Sequence, residues 1–317
     1  MRGNNTSPTN SYFFLVNSCQ RIAKPSFSYK TLKICFYLHL VILVTTGTEL
    51  NSSSHIPQPP NLKNIIHSIW QTGGLTPFHN EHIIPTGIIE VIFNFSEGPH
   101  MLAYLGDRQY HLSRCFINGF NTVPVQLLLP EHQVFFGIQF QPLAVKKIFG
   151  IPASEFSDRI IDLTLIDSTF HSLWHQLADQ INFEDRVSVL SAWMEKKFTD
   201  WRPQEQMINN FLSGMGQHEL SVTELARSLC YSPRQLSRKM AESTGMNTEE
   251  ILLYKKYLHA VDLIHHTDLS LTQIAYQSHF FDQSHFIKSF KIYARMTPGE
   301  YKAGKGYVKG HIYENVR

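Results

Sequence analysis

Cysteine is scarce in this chain of 317 residues: Cys19, Cys35, Cys115 and Cys230 lie far apart, with no Cys-x-x-Cys pair. That spacing suggests neither a zinc site nor a disulfide framework, and it suits a reducing cytoplasm. Charge is also sparse, at 17% of residues and a net +2. Bulk charge therefore announces no nucleic-acid binder, and any such case depends on where the charges sit. The apolar run at residues 34–44 is too short for a membrane-spanning helix, which needs roughly 20 apolar residues. It resembles the apolar stretch of a signal peptide but lies far from Met1. No glycine-rich phosphate loop, nucleophile elbow or paired-carboxylate signature stands out, so the chain reads as a non-enzyme without a cofactor.

What is present is ordinary globular material. The 43% hydrophobic content argues against disorder over most of the length, and the length suits two domains. Pro57, Pro59 and Pro60 close an N-terminal extension, and folded character is expected from Leu62. Residues 88–95, 125–129 and 134–140 read as strands, with Gly and Pro between them. A helix is expected over 142–149, ended by Gly150, and another starts at Pro152. Over 183–198, Val187, Leu190, Met194 and Phe198 recur at helical spacing, which marks a buried face. Residues 199–203 read as a hinge, and everything after Pro203 reads as helix and turn.

The C-terminal part repeats itself. Leu220-Ser221-Val222-Thr223-Glu224-Leu225-Ala226 returns as Leu269-Ser270-Leu271-Thr272-Gln273-Ile274-Ala275, the mark of one supersecondary unit used twice. Each copy opens with a capping box, Ser221 with Glu224 and Ser270 with Gln273, in which serine and Glu or Gln satisfy orphan N–H groups reciprocally. A further box, Ser232-Pro233-Arg234-Gln235, follows in the first copy with proline at the first helical position. Two short helices joined this tightly have helix-turn-helix geometry. Leu225, Leu229, Leu236 and Met240 are expected to form one core, and Ile274, Phe280, Phe286 and Phe290 the other. Ala226 and Ala275 suit a close helix crossing. Arg234, Arg238 and Lys239 fall on the remaining face of one second helix, and Lys288 and Lys291 on that of the other. A basic stripe there is what a major-groove reader needs. Between the units a helix over about 249–265, capped by Asn247 or Thr248, forms a strut.

Residues 268–275, then Phe280, Asp282-Gln283-Ser284-His285-Phe286, Phe290-Lys291 and Met296-Thr297-Pro298-Gly299-Glu300-Tyr301, resemble the signature of the AraC/XylS family over about 204–302. The resemblance implies sequence-specific binding of a double-stranded DNA operator and control of transcription. Its recognition contacts map onto Arg234, Ser237 and Arg238, and onto Gln283, Ser284, His285 and Lys288. With Gln235 and Lys239 these make up the expected DNA-binding set. Cys230, His279 and Arg295 stand where the family commonly has glycine, positions expected to be left-handed, which costs a side chain of order 1 kcal/mol. Phe281 replaces a capping serine, leaving Asp282 for that role or for the first turn, and Lys256 replaces an arginine. More loosely, residues 62–177 resemble the N-terminal domain of a subset of the family, whose ligand the resemblance does not supply.

The expected architecture is α+β: an extension over 1–54, read as disordered or as upstream residues from a wrongly chosen start, a mixed strand and helix regulatory or dimerisation domain over 55–200, an all-α DNA-binding domain over 203–304, and a tail over 305–317. RNA polymerase, a small-molecule effector and a second copy of the chain are the further partners implied. Three rival readings remain. Seventeen histidines raise a metal site at His79 and His82 or at His171 and His175, although Ser172 breaks any His-Glu-x-x-His pattern. A DNA-alkylation-repair protein would need a reactive cysteine such as Cys115, beside Arg114. A membrane-tethered regulator would rest on residues 34–44.

Overall fold

Alternation decides the N-terminal half. In strand β4 (Ile89–Asn94), Ile89, Val91 and Phe93 are fully buried, while Glu90, Ile92 and Asn94 are half-buried. Successive side chains point to opposite faces, so one face packs on helices and the other meets a second sheet. The computed structural model describes residues 51–75, 78–97, 101–197, 201–214 and 219–316. The apolar run at 34–44 lies outside the described residues, as do Phe198, Thr199 and Asp200.

The strands are β1 (Asn51–His55), β2 (Ile66–Leu75), β3 (Phe78–Ile83), β4, β5 (Leu102–Leu105), β6 (Arg108–His111), β7 (Cys115–Asn118), β8 (Val125–Leu128), β9 (His132–Phe140), β10 (Ile160–Asp162) and β11 (His311–Val316). They form two antiparallel sheets, ordered β1-β2-β9-β4-β7-β10 and β11-β3-β8-β5-β6. The strands expected over 88–95, 125–129 and 134–140 are β4, β8 and β9. Between the sheets lie Phe116, Phe135, Ala103, Leu105 and Val125. Gly137 lets the Trp70 ring cross β9, since a Cβ there would sit 2.2 Å from that ring.

Helices cover the outer face of the first sheet. They are α1 (Pro60–Lys63), α2 (Ala144–Phe149), α3 (Thr169–Ala178) and α4 (Phe183–Glu195), with a 3-10 turn at Ala153–Phe156. Gly150 ends α2 in the left-handed conformation, φ 71°, as expected of that glycine. Phe170 packs on Phe93 at 6.3 Å between ring centres, and Phe183 on Phe136 at 6.1 Å. After these come α5 (Pro203–Ser213), α6 (Val222–Ser228), α7 (Pro233–Thr244), α8 (Thr248–His266), α9 (Leu271–Gln277), α10 (Gln283–Ala294) and α11 (Pro298–Gly304). No helix among the described residues is long and apolar enough to cross a membrane.

Three expectations need correction. Among the described residues sheet structure is already present at Asn51–His55, ahead of Leu62 and overlapping the extension expected over 1–54, because β1 finds a partner in β2, with His55 opposite Ile69. The residues after Pro203 are not all helix and turn: 311–316 form β11, which adds to the free edge of β3 with His311 opposite Ile83 and Val316 opposite Phe78. Nor do the two helix pairs keep the separate cores expected of them. One hydrophobic cluster runs from Ile69 and Phe136 through Leu225 and Tyr254 to Phe290. Its polar ties also cross: Tyr254 donates to the Asn121 carbonyl (2.9 Å), Tyr257 to the Pro85 carbonyl (3.0 Å) and Ser157 to the Thr244 carbonyl (2.9 Å). Two buried tyrosine hydroxyls need acceptors, and the N-terminal loops supply them.

Candidate nucleic-acid interface

The first helix pair is set by its ends. Ser221 accepts from the Glu224 N–H and Ser232 from the Gln235 N–H, while the Glu224 and Gln235 side chains take the serine N–H groups at 2.9 and 3.1 Å. In the second pair Ser270 and Gln273 do the same, and Asp282 caps α10 by accepting from the His285 N–H at 2.7 Å. Leu225, Leu236, Met240, Ile274, Phe286 and Phe290 are all fully buried, and Ala226 and Ala275 sit at 1% and 3% exposure. Both pairs therefore close on the cores that the periodicity implies.

The turns carry the strain expected of them. Cys230, His279 and Arg295 adopt φ of 58°, 57° and 57°. Lys256 donates to the His279 carbonyl at 2.9 Å, holding the second turn against α8. We predict that Cys230→Gly, His279→Gly and Arg295→Gly each stabilise the fold by a few tenths to about 1 kcal/mol. The gain is the left-handed strain relieved, less the extra freedom glycine has in the unfolded chain. Denaturant unfolding midpoints check this, and three destabilised variants would show the turns are not strained.

The repeat extends further than its first seven residues. After α7 come Gly245 in the left-handed conformation and an Asn247–Glu250 capping box that starts α8. After α10, left-handed Arg295 and a Thr297–Glu300 box start α11. Asn247 is thus the cap of the long helix. At 19 residues that strut spans about 28 Å. It holds both units: Tyr257 packs on Phe290 at 5.2 Å, and the buried Lys255 amine donates to the carbonyls of Phe211 (2.6 Å) and Gly214 at the end of α5. Burial pulls the Lys255 pKa down to about 8. Lys255 was not singled out in the sequence; of the pair Lys255-Lys256, it is the one that falls on the apolar stripe, four residues after Ile251.

The predicted site residues fall into two groups. Arg234, Arg238, Ser284, His285 and Lys288 are exposed, with Arg238, Ser284 and Lys288 opposite the buried faces of their helices and the His285 ring against the buried Phe280, 5.5 Å between centres. Arg234, Arg238 and Lys288 have no ion-pair partner among the described residues. The others are engaged. Gln235 uses its carbonyl oxygen in the cap, and Gln283 accepts from the Thr272 hydroxyl at 3.2 Å. Ser237 is half-buried. Lys239 pairs with Glu242 at 3.5 Å, and the other oxygen of Glu242 takes Lys146 of α2. Lys239 thus lies at the flank of α7 that meets the N-terminal elements. A cleft of about 230 Å³ opens there, lined by Lys146, Lys147, Arg202, Glu205, Lys239 and Glu242.

The rival sites look different in three dimensions. The Cys115 thiol is fully buried in β7, and burial, with Asp162 nearby, pushes its pKa well above the ordinary thiol range. That is the reverse of what a nucleophilic thiolate needs. The His171 and His175 rings lie 4.8 Å apart, yet no group of three or more His, Cys, Asp or Glu among the described residues is placed to hold a metal.

Comparison with known proteins agrees with this geometry. Residues 225–304 match the family model of a helix-turn-helix domain, and residues 54–162 that of a domain of unknown function (DUF6597). The chain is similar to the HTH-type transcriptional activator RhaS of Escherichia coli (strain SE11), 26% identical over 124 residues, covering 39% of this chain and 38% of RhaS. It is also 26% identical over 148 residues to the uncharacterized HTH-type transcriptional regulator YtdP of Bacillus subtilis (strain 168), covering 47% of this chain and 18% of that one. It therefore spans well under half the length of these relatives. Among solved structures, ToxT from Vibrio cholerae O395 aligns over 80% of this chain and 97% of its own, with 14% identity and a TM-score of 0.43.

Proposed function

Because this chain belongs to the AraC/XylS family, we propose that it regulates transcription by gripping a duplex operator with α7 and α10, which enter two successive major-groove segments. One observation carries the reading: a capped helix pair occurs twice, and each second helix presents exposed cations on the face its core leaves open. The strut of about 28 Å suits recognition helices set near one DNA turn, roughly 34 Å, apart. Residues 203–304 do the binding, and 55–200 serve regulation or dimerisation. We assign base contacts to Arg234, Arg238, Ser284 and His285, and a phosphate contact to Lys288. Bound chain then alters the access or recruitment of RNA polymerase, which places it in the cytoplasm. The cleft beside α7 supports a small-molecule effector, since a molecule held there touches Lys239 and Glu242 of the first recognition helix.

The test is selection of duplexes from a randomised pool by the full chain, followed by a salt titration of the recovered sequence. A defined motif is expected, with log K falling linearly in log salt by about 0.9 per phosphate contacted. A folded chain that recovers no motif and binds no duplex in a salt-dependent way would overturn the assignment.

A further inference from the structure

The two helix pairs differ by one inserted residue. Tyr231 and Phe280 are equivalent, because each donates its N–H back to the alanine of the preceding helix, Ala226 at 2.9 Å and Ala275 at 3.1 Å. In the first unit the next residue, Ser232, is already the cap of α7. In the second, Phe281 intervenes before Asp282 caps α10. The insertion is a phenylalanine at 92% exposure, the highest among the large apolar side chains of the described residues. Phe280, beside it, is turned into the core at 5%, so packing has no use for Phe281. Nor does capping, which Asp282 performs.

Its place decides what it can meet. The N-terminal end of a recognition helix is the end that approaches base edges, and Phe281 directly precedes it. An apolar group at a major-groove edge has one base feature to bury itself against, the C5 methyl of thymine. The units are also unlike in their exposed chemistry. The first presents Arg234 and Arg238, whose forks suit guanine, and shows no large exposed apolar side chain. The second presents Tyr276 at 83%, Phe281 and Ile292 at 56%.

We propose that Phe281 is a specificity-determining residue that packs on a thymine methyl, so that the second unit reads a thymine where the first reads guanine. This rests on the DNA-binding reading above.

The probe is the duplex recovered by the full chain, with each thymine of the segment protected by the second unit replaced singly by deoxyuridine, which lacks only the methyl. At one position the parent is expected to bind the uracil duplex about three- to fivefold more weakly, the worth of one buried methyl. Phe281→Ala is expected to bind the thymine duplex weaker by a similar factor and to ignore that replacement. Phe281→Leu, which keeps an apolar tip, should retain part of the response. Because the ring is exposed, the thermal midpoint of Phe281→Ala should match the parent, which separates a contact from a folding role. If no position responds in the parent alone, or if uracil weakens parent and Phe281→Ala alike, the proposal is wrong and the ring serves some other partner. Failure to recover any duplex would instead sink the DNA-binding reading itself.

Discussion

Arg238→Ala is expected to cost roughly 1–3 kcal/mol of operator affinity, concentrated at one or two base pairs of the first half-site. Arg238 lies on α7 opposite the buried Leu236 and Met240, is exposed, and is engaged by no carboxylate among the described residues. Its guanidinium can therefore present two parallel donors to guanine O6 and N7 without first breaking an ion pair. Lys288 holds the equivalent place on α10, counting from the caps Ser232 and Asp282, but an ammonium is a point charge. Lys288→Ala should weaken all sequences alike and reduce the salt slope by about one. Binding of both variants to a library of single-base operator mutants at fixed salt separates the two behaviours. Leu225→Ala is the folding control, and a buried leucine lost from a close-packed core should cost about 2–5 kcal/mol of stability. An Arg238→Ala protein with the parent's preference at every position would mean that the first unit does not read bases through this residue.

Truncation after Val308 is expected to lower stability by roughly 2–5 kcal/mol, at about 0.5–1.5 kcal/mol for each aromatic pair and each net ladder hydrogen bond lost. The cut removes β11 and with it His311, whose ring nitrogen lies 2.6 Å from the Glu81 carboxylate. It also removes Tyr313, stacked on Phe78 at 4.6 Å and on Tyr307 at 5.0 Å. Strand β3, still paired with β8, then becomes an exposed edge. Chemical denaturation of the truncated and full chains reads the difference, and equal midpoints would show that the strand is ornamental. The docked strand should also respond to pH. Burial opposes the charge on His311, but Glu81 and, more distantly, Glu90 outweigh it and hold the imidazole pKa above its usual value. A raised histidine pKa contributes stability that is fully present below about pH 6.5 and is lost as pH rises through the folded value. Amide protection of Ile312 and Tyr313, corrected for intrinsic exchange, should therefore be greater at pH 6 than at pH 9. His311→Gln should flatten that dependence.

Much of the interface was legible because its determinants are local. Capping boxes join residues three apart, so Ser221, Ser232 and Ser270 announce their helices without reference to anything distant. The left-handed turns at Cys230, His279 and Arg295 were legible as departures from a glycine pattern. Exposed Arg234, Arg238 and Lys288 followed from helical period and the position of the apolar stripe. Phe281 was visible as a misplaced cap, but its exposure was not, since only the packed turn shows that Phe280 takes the core site and leaves Phe281 outside.

By itself, then, the sequence determined the doubled helix-turn-helix unit, its caps, its strained turns and the chemistry of its outer faces, because short-range geometry and a 3.6-residue period specify each of them. Tertiary structure alone decided the rest. Residues 311–316, His-Ile-Tyr-Glu-Asn-Val, show no apolar–polar alternation, and they become a strand only because β3, more than two hundred residues earlier, offers an unpaired edge. Lys239 carries the same charge as Arg238, its neighbour in sequence, but a 100° step around α7 turns it towards Glu242, which Lys146 of a distant helix also engages. The hydroxyls of Tyr254 and Tyr257 end on carbonyls of Asn121 and Pro85, so the C-terminal helices share a core with the N-terminal sheets. No local pattern encodes such pairings, because they depend on which polar atoms and apolar faces remain unsatisfied once both halves have folded against each other.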